Sequence, residues 1–314
     1  MPPGMGPDEQ VRLAHIAREH FVVGKTRIEI ADELGLSRFK VGRLLDDAIK
    51  SGIVRFEISV PGPIDDERSA ALQRKFALKR AVVVRTPAEL SDAVQEQLGR
   101  VGAELLQEIA SPDDIIGMTA GRTLNQLGQA LDTFETGEVV QLAGVAGPVQ
   151  ATGVEVIRRV SSVAHARAWM LYAPLIASDV AAAEAIRRQH DVAQTLRQFA
   201  RVTLAFVAIG SWAPPDSQFY DNLGITPDRR RALERKGVVA DIGAILIDSS
   251  GVVIDDVQQQ CISIDQAGLR RIPEVVGIAG GARKTDAVRA ALASGLINSL
   301  VTDSALAARL LGDR

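Results

Sequence analysis

Seven short apolar runs alternate with longer segments of helical periodicity in the larger, C-terminal part of the chain. The runs occupy residues 81–84, 114–118, 139–144, 203–210, 243–248, 275–280 and 297–303. Such alternation is typical of buried strands in an α/β fold with a largely parallel sheet. The sequence therefore predicts one large α/β domain over residues 66–314.

A smaller domain is predicted before it, over residues 1–60. The stiff tripeptide Pro-Gly-Pro at 61–63 breaks the pattern, and we assign residues 61–65 to a linker. The chain has 314 residues, of which 46% are hydrophobic, so it can build a core in each domain.

The compartment is predicted from what the composition lacks. Cys261 is the single cysteine, so an internal disulfide is impossible and a reducing compartment is expected. The first residues lack the apolar core of a signal peptide. No apolar stretch approaches the roughly 20 residues of a membrane span. We expect a cytoplasmic protein with no membrane contact.

Residues 25–54, KTRIEIADELGLSRFKVGRLLDDAIKSGIV, predict two short helices joined by a turn. Thr26 and Glu29 have the spacing of a capping box that opens the first helix. Gly35 can end that helix in a left-handed conformation, and Ser37 can cap the second. An amphipathic helix is expected before them over residues 8–21, and the alternating segment 53–60 predicts a strand that serves as a wing or packing strand.

The second helix is predicted to have one buried and one outward face. Its buried set is Val41, Leu44, Leu45 and Ala48, against which Ile30 and Leu34 of the first helix are expected to pack. The outward set is Phe39, Arg43 and Asp46, with Lys40 and Gly42 on the flanks.

Whether this hairpin reads DNA depends on where its charges lie. The net charge of the chain is −3, and residues 1–60 contain nine Lys or Arg against nine Asp or Glu, a balance of zero. An ordinary solvated hairpin is the simple alternative. However, a recognition helix meets base edges with its N-terminal residues, where basic side chains and the outward Phe39 cluster here. We predict a helix-turn-helix that binds double-stranded DNA through Thr26, Ser37, Arg38, Phe39, Lys40 and Arg43.

In the larger domain, glycine-bearing loops follow several predicted strands. They lie at 118–123, 144–147, 210–211 and 280–284. A loop of this kind that opens a helix can present free amides to an anion, although a glycine at a tight turn is often required by geometry alone. Arg122 and Lys284 place cations at helix starts, which the helix dipole disfavours. That conflict indicates an anionic partner.

Several segments resemble one family, the SorC family of sugar-binding transcriptional regulators related to DeoR. Residues 24–54 are similar to its N-terminal domain, with Phe39 where proline is common and Gly42 where serine is common. The loop GMTAGRTL resembles the family's GVSWGRTL, with Ala120 replacing tryptophan. RKGVVADIGAILIDSSG resembles another family segment, with Ala240 in place of a glycine, and residues 271–311 follow the C-terminal signature, including Lys284 and Asp303.

The resemblance implies a winged-type helix-turn-helix followed by a Rossmann-like effector domain that is similar to sugar-phosphate isomerases. It also implies a regulator of a carbohydrate or polyol catabolic operon, often a repressor, that assembles as a homodimer or homotetramer. The effector would be a sugar, a polyol or a sugar phosphate, with no cofactor and no metal. By this resemblance and the strand-end loops, the effector-binding residues would be Thr119, Gly121, Arg122, Thr123, Gly144, Gly210, Asp241, Gly281 and Lys284.

The alternative is a sugar-phosphate isomerase-like enzyme with an accessory helix-turn-helix. Isomerisation needs a base, for which Asp241 and Asp303 are candidates by their position at strand ends. Lys284 could form a Schiff base with an aldehyde sugar. The four histidines lack metal-ligand spacing. Turnover of a sugar phosphate would separate the two classes of protein.

Overall fold

The computed structural model describes residues 6–56, 62–86, 91–146, 153–221 and 226–312. The chain divides into two compact units, residues 1–59 and 60–314. Within the described residues, no helix is both long and apolar enough to cross a membrane.

In its described residues the first unit has three helices, and the second and third begin at the predicted caps. They are α1 (Pro7–Phe21), α2 (Arg27–Leu34) and α3 (Arg38–Lys50). The capping box is confirmed: Thr26 Oγ1 accepts from the Glu29 amide at 3.3 Å, and Glu29 Oε2 accepts from the Thr26 amide at 2.7 Å. Gly35 ends α2 with φ of 61°, and Ser37 Oγ accepts from the Lys40 amide at 3.2 Å.

The core of the first unit differs from the prediction in two places. Ile30 is buried with Val41 and Leu45 as expected, but Leu34 is 39% exposed and Ala31 packs in its place. Gly42, which we predicted on the flank of the second helix, is buried, and the Arg27 guanidinium lies beside it. In the predicted strand 53–60, residues 53–56 are irregular, with Ile53 and Val54 packed on the core, and residues 57–60 lie outside the described residues.

The second unit alternates strands and helices along most of its length. Its elements are α4 (Asp66–Lys75), β1 (Arg80–Val84), α5 (Ser91–Ile109), β2 (Ile115–Met118), α6 (Arg122–Ala130), β3 (Glu138–Gln141), α7 (Gly153–Val163), β4 (Arg167–Trp169), α8 (Val180–Arg187), α9 (His190–Gln198), β5 (Leu204–Ala208), β6 (Gly210–Trp212), β7 (Pro215–Asp216), α10 (Gln218–Asp221), α11 (Pro227–Arg235), β8 (Val238–Ile242), β9 (Ile245–Asp248), β10 (Val253–Ile254), α12 (Gln266–Arg271), β11 (Glu274–Ile278), α13 (Thr285–Ala293), β12 (Ser299–Asp303) and α14 (Ser304–Leu311). Single 3-10 turns occur at Phe199–Arg201, Gln258–Gln260 and Ala282–Lys284.

Seven of these strands form a parallel sheet in the order β1-β12-β11-β5-β2-β3-β4. The predicted α/β fold is confirmed. From β2 the chain moves outward through β3 to β4, and from β5 it moves in the other direction through β11 to β12. The strand order therefore reverses between β2 and β5, which is where open α/β sheets bind their ligands.

A second, five-stranded sheet was not predicted. It is antiparallel, in the order β10-β9-β8-β6-β7, and it contains the run 243–248, which we assigned to the parallel sheet. The predicted linker also needs correction at its end. Ile64 bridges Val84, and Asp65 caps α4 by accepting from the Arg68 amide, so both residues belong to the second unit.

Candidate functional site

A cavity of about 440 Å³ opens at the carboxyl ends of the central parallel strands. Eight of the nine predicted effector residues line it: Thr119, Gly121, Arg122, Thr123, Gly144, Gly210, Asp241 and Lys284. The ninth, Gly281, lines an adjoining cavity of about 350 Å³. The structure thus brings the predicted set to one edge of the sheet, and their role as effector ligands stays a prediction.

Thr119 lies at the point where the strand order reverses. Its side chain is buried, and Oγ1 accepts from the Ala208 amide at 3.0 Å, which ties the ends of β2 and β5 together. Gly121 then opens α6, and within the described residues no side chain caps the first turn of that helix. Amides of an uncapped first turn are available to an anion in the cavity.

Asp241 is the buried carboxylate of the site. It accepts from Trp212 Nε1 at 3.0 Å and from Ser217 Oγ at 2.5 Å. Burial raises the pKa of the Asp241 carboxyl above its ordinary value, because desolvation outweighs the opposing hydrogen bonds and the nearby Lys284 ammonium. An ionised Asp241 accepts further hydrogen bonds only, whereas a protonated one can also donate.

Gly210 is required by the close approach of this carboxylate. A Cβ atom at residue 210 would lie 2.4 Å from Asp241 Oδ1 and 2.8 Å from the Ser217 Cβ. No side chain fits between β6 and the carboxylate, so glycine at this position is explained by packing. Our interpretation of residues 210–211 as a helix-opening loop is wrong, since Gly210 begins β6.

The two cations of the cavity share one carboxylate that the sequence did not reveal. Asp216 pairs with the Arg122 guanidinium through Oδ1, and its Oδ2 lies 3.3 Å from Lys284 Nζ. Lys284 also donates to the Ile209 carbonyl at 2.9 Å. Arg122 and Lys284, from which we inferred an anionic partner, are therefore already paired with a carboxylate of the chain. Asp216 is 94 residues from Arg122 in the chain, and no local pattern connects them.

Two further loops differ from the expectation of free amides. The Gly144 and Val145 amides donate to the carbonyls of Ile262 and Ala173, each at 2.8 Å, and Gly147 lies outside the described residues. The Gly281 amide donates to Asp303 Oδ2 at 2.5 Å, and Gly281 adopts φ of 91°, in the left-handed region. Of the four predicted anion loops, the start of α6 fits that description best.

Asp303, one of the two candidate bases, has a structural role in this fold. Asp303 is 1% exposed and also accepts from the amides of Ala305 and Leu306, so it caps α14. Cys261 is buried, and burial raises the pKa of its thiol to about 12, which disfavours the nucleophilic thiolate. Among the residues that the structure describes, no cluster of His, Cys, Asp or Glu could hold a metal ion.

The predicted DNA-binding residues lie on and around α3. Arg38, Phe39, Lys40 and Arg43 are exposed, and the two remaining residues, Thr26 and Ser37, cap the helices. Phe39 is 70% exposed, and the Arg38 guanidinium lies 4.8 Å from the centroid of its ring. Arg38, Lys40 and Arg43 form no ion pair with any part of the chain that the structure describes. Their contact with DNA stays a prediction.

Arg27 is a further outward cation that the sequence analysis did not include. Its Nη1 would lie 3.5 Å from a Cβ atom at Gly42, so its guanidinium extends across the flank of α3. The signal was present in the sequence, because a glycine in the middle of a helix leaves room for a neighbouring side chain.

Comparison with known proteins assigns the family. Residues 64–312 match the family model described as "Putative sugar-binding domain". The transcriptional regulator LsrR of Escherichia coli is 33% identical over 315 residues, which cover 98% of this chain and 96% of that protein. LsrR of an Enterobacter strain is 28% identical over 98% of this chain and 95% of its own length.

A solved structure matches nearly the whole fold. The full-length sorbitol operon regulator SorC from Klebsiella pneumoniae is 25% identical, with a TM-score of 0.74, over 97% of this chain and 99% of that one. A family model that spans most of the second unit, together with relatives that match the chain along nearly all its length, shows that this protein belongs to the SorC family of sugar-binding transcriptional regulators.

Proposed function

We propose that this regulator controls a carbohydrate or polyol catabolic operon and that the 440 Å³ cavity is its effector site. The observation that carries the proposal is the convergence of an uncapped helix start, a buried carboxylate and two cations where the strand order reverses. Since the target is operator DNA, we place the protein in the cytoplasm.

The chemistry of the lining favours a hydroxylated effector with an anionic group. Asp241 can accept from sugar or polyol hydroxyls, while Lys284, Arg122 and the first turn of α6 can hold a phosphate. An uncharged polyol is the second candidate, because Ala120 opens the lining and Asp216 already neutralises part of the positive charge.

A thermal-shift screen with sugars, polyols and their phosphates identifies the effector. A ligand at 100 times its dissociation constant adds roughly 2.7 kcal/mol of stability. Calorimetry of two variants then decides its charge. For a phosphorylated effector, Lys284→Ala removes a charge-assisted bond worth about 1.5–3 kcal/mol. For a neutral effector, Asp241→Asn weakens binding more than Lys284→Ala does.

Regulation requires that the effector and DNA sites be coupled. Coupling is reciprocal, so operator DNA must change effector affinity by the factor by which the effector changes DNA affinity. The same calorimetry with and without operator DNA measures this factor. An effector whose affinity ignores operator DNA would contradict the regulatory role of the cavity.

We further propose that the chain does not turn over its ligand. Asp303 serves as a helix cap, which leaves Asp241 as the remaining candidate base. A sugar phosphate incubated with the protein should be recovered unchanged. Formation of an isomer would instead support the enzyme alternative.

We also propose a homodimer or homotetramer. One recognition helix reads few base pairs, and residues 1–60 have no net charge, so useful affinity requires two or more linked units. Operators should be roughly palindromic, with half-sites about 34 Å or a multiple of it apart. Light scattering that shows a monomer on operator DNA would contradict this assembly.

A further inference from the structure

Asp216 lies between the 440 Å³ cavity and the adjoining 350 Å³ cavity, where it pairs with both Arg122 and Lys284. Arg122, Lys284 and Asp216 line both the 440 Å³ cavity and the adjoining 350 Å³ cavity, so their ion pairs stand in the common wall. The Asp216 side chain is 31% exposed, and the Lys284 side chain is 17% exposed. A partly shielded ion pair of this kind is stronger than one on an open surface.

The segment that carries Asp216 is also connected to the buried carboxylate. Asp216 ends the two-residue strand β7, and the next residue, Ser217, donates to Asp241. Trp212 donates to the same carboxylate, and its ring contacts the rings of Phe219 and Tyr220 of α10. Movement of Asp216 therefore changes the surroundings of both Asp241 and Trp212.

We propose that Asp216 is an internal counter-anion that competes with the anionic group of the effector for Arg122 and Lys284. The effector exchanges with Asp216 rather than adding to an open cationic site, and the exchange joins the two cavities. This inference rests on the proposed effector site. It explains how a site with two cations can reject weakly binding anions, because each anion must displace a carboxylate that is tethered beside them.

The test is titration of inorganic phosphate into the full-length protein by calorimetry at constant ionic strength. Asp216→Asn should bind phosphate about five- to tenfold more tightly than the wild type, as expected for release of a partly shielded ion pair. Asp221→Asn is the matched control. It removes the same charge from the lining of the same cavity, but Asp221 has no ion pair within the described part of the chain. Its affinity for phosphate should change by at most about twofold.

Two additional variants keep the result specific. Asp216→Glu keeps the carboxylate, so its phosphate affinity should stay close to that of the wild type. When Asp216→Asn is combined with Lys284→Ala, the increase in phosphate affinity should disappear. Trp169 and Trp212 are the only tryptophans in the chain. In a Trp169→Phe background all tryptophan fluorescence therefore comes from Trp212, and phosphate should alter its quenching by acrylamide. The phosphate concentration needed for this change should be lower when Asp216→Asn is also present.

The counter-anion role of Asp216 would be contradicted by any of three results: equal phosphate affinity of wild type and Asp216→Asn, higher affinity of the wild type, or no phosphate binding by either. That result is distinct from failure of the effector site. If the binding of a compound from the thermal-shift screen is changed by Asp241→Asn but not by Asp216→Asn, the effector site is supported and the counter-anion role of Asp216 is contradicted. If no compound responds to Asp241→Asn or Lys284→Ala, the cavity is not the effector site.

Discussion

Arg38, Lys40 and Arg43 extend from α3 with no ion pair in the part of the chain that the structure describes, whereas Arg122 and Lys284 of the second unit share Asp216. Unpaired cations on an exposed helix suit a polyanion, whose counterions are released on binding whatever its sequence. Cations that are already paired in a cavity suit a site that must select one ligand and exclude other small anions. From this difference we expect the predicted DNA-binding residues (the predicted DNA surface) to meet DNA without breaking an ion pair. In the proposed effector site we expect the ligand to exchange with Asp216.

The two regions also differ in how far apart their residues lie in the chain. Every residue of the predicted DNA surface falls within residues 26–43, and Thr26 and Ser37 cap the starts of the two helices there. The lining of the cavity extends from residue 95 to residue 284 in the chain, and Asp241 reaches its place only because Gly210 has no side chain. Substitution of a glycine should therefore affect the two regions very differently.

Gly210→Ala is the prediction with the largest effect. The new Cβ would meet Asp241 Oδ1 at 2.4 Å, so the variant should lose about 3 kcal/mol of unfolding free energy, the upper end for overpacking. Because both tryptophans lie in the second unit, a urea titration followed by tryptophan fluorescence reports on that unit.

Gly42→Ala is the matched substitution in the first unit. Its Cβ would meet the flexible Arg27 side chain at 3.5 Å, an ordinary contact, and alanine favours a helix interior by about 1 kcal/mol over glycine. Amide exchange in α3 should slow. If Gly42→Ala lost as much stability as Gly210→Ala, the two regions would not differ in the way proposed: one formed by residues close in the chain, the other by residues distant in the chain.

This contrast also explains how much could be predicted from sequence. Caps, turns and apolar runs act over a few residues, so α2, α3 and the central parallel strands were predicted. The antiparallel sheet was missed because β7 and β10 have two residues each and show no alternation. Asp216 was missed because its partners Arg122 and Lys284 are distant in the chain and meet it only through the sheet topology.

Arg43→Ala should have the next largest effect, on DNA affinity rather than stability. The side chain is exposed on the outward face of α3, and loss of a base contact costs about 2 kcal/mol and relaxes preference at one base position. Lys50→Ala, in the last turn of the same helix, removes the same charge and is the control. Operator DNA obtained by in vitro selection, titrated at fixed salt, measures both. Equal losses for the two variants would show that α3 contributes charge without reading bases.

Ser37→Ala tests whether the DNA surface depends on its own cap. The hydroxyl accepts from the Lys40 amide, and loss of an N-cap costs about 1 kcal/mol. Ser37→Thr retains the hydroxyl and serves as the control. Amide exchange in the first turn of α3 should accelerate in the alanine variant, with weaker DNA binding. Unchanged exchange would mean that packing of Val41 and Leu45 alone holds the helix start.

The smallest expected effect is a difference in the pH dependence of the two units. Glu29 accepts from the Thr26 amide and hydroxyl, and these bonds hold the pKa of its carboxyl below the ordinary value. Its contribution to stability is therefore present above the unfolded pKa and is lost as pH falls through the folded pKa. Burial raises the pKa of Asp241, so the sign is reversed. The contribution of Asp241 to the stability of the second unit is present below the unfolded pKa of this group and is lost as pH rises through its higher folded pKa.

Glu29→Gln and Asp241→Asn should each remove one contribution to the pH dependence, and only in the unit that carries the substituted residue. In Asp241→Asn, the amide oxygen can still accept from Trp212 and Ser217, so the gain in unfolding free energy at neutral pH should be below about 1 kcal/mol. Urea titrations from about pH 3 to about pH 8 cover both windows. Tryptophan fluorescence reports on the second unit, and amide NMR signals of α2 report on the first. If Asp241→Asn lost stability at neutral pH, the charged carboxylate would be contributing to the fold through Lys284, and the cavity would depend on its internal ion pairs for structure as well as for selection.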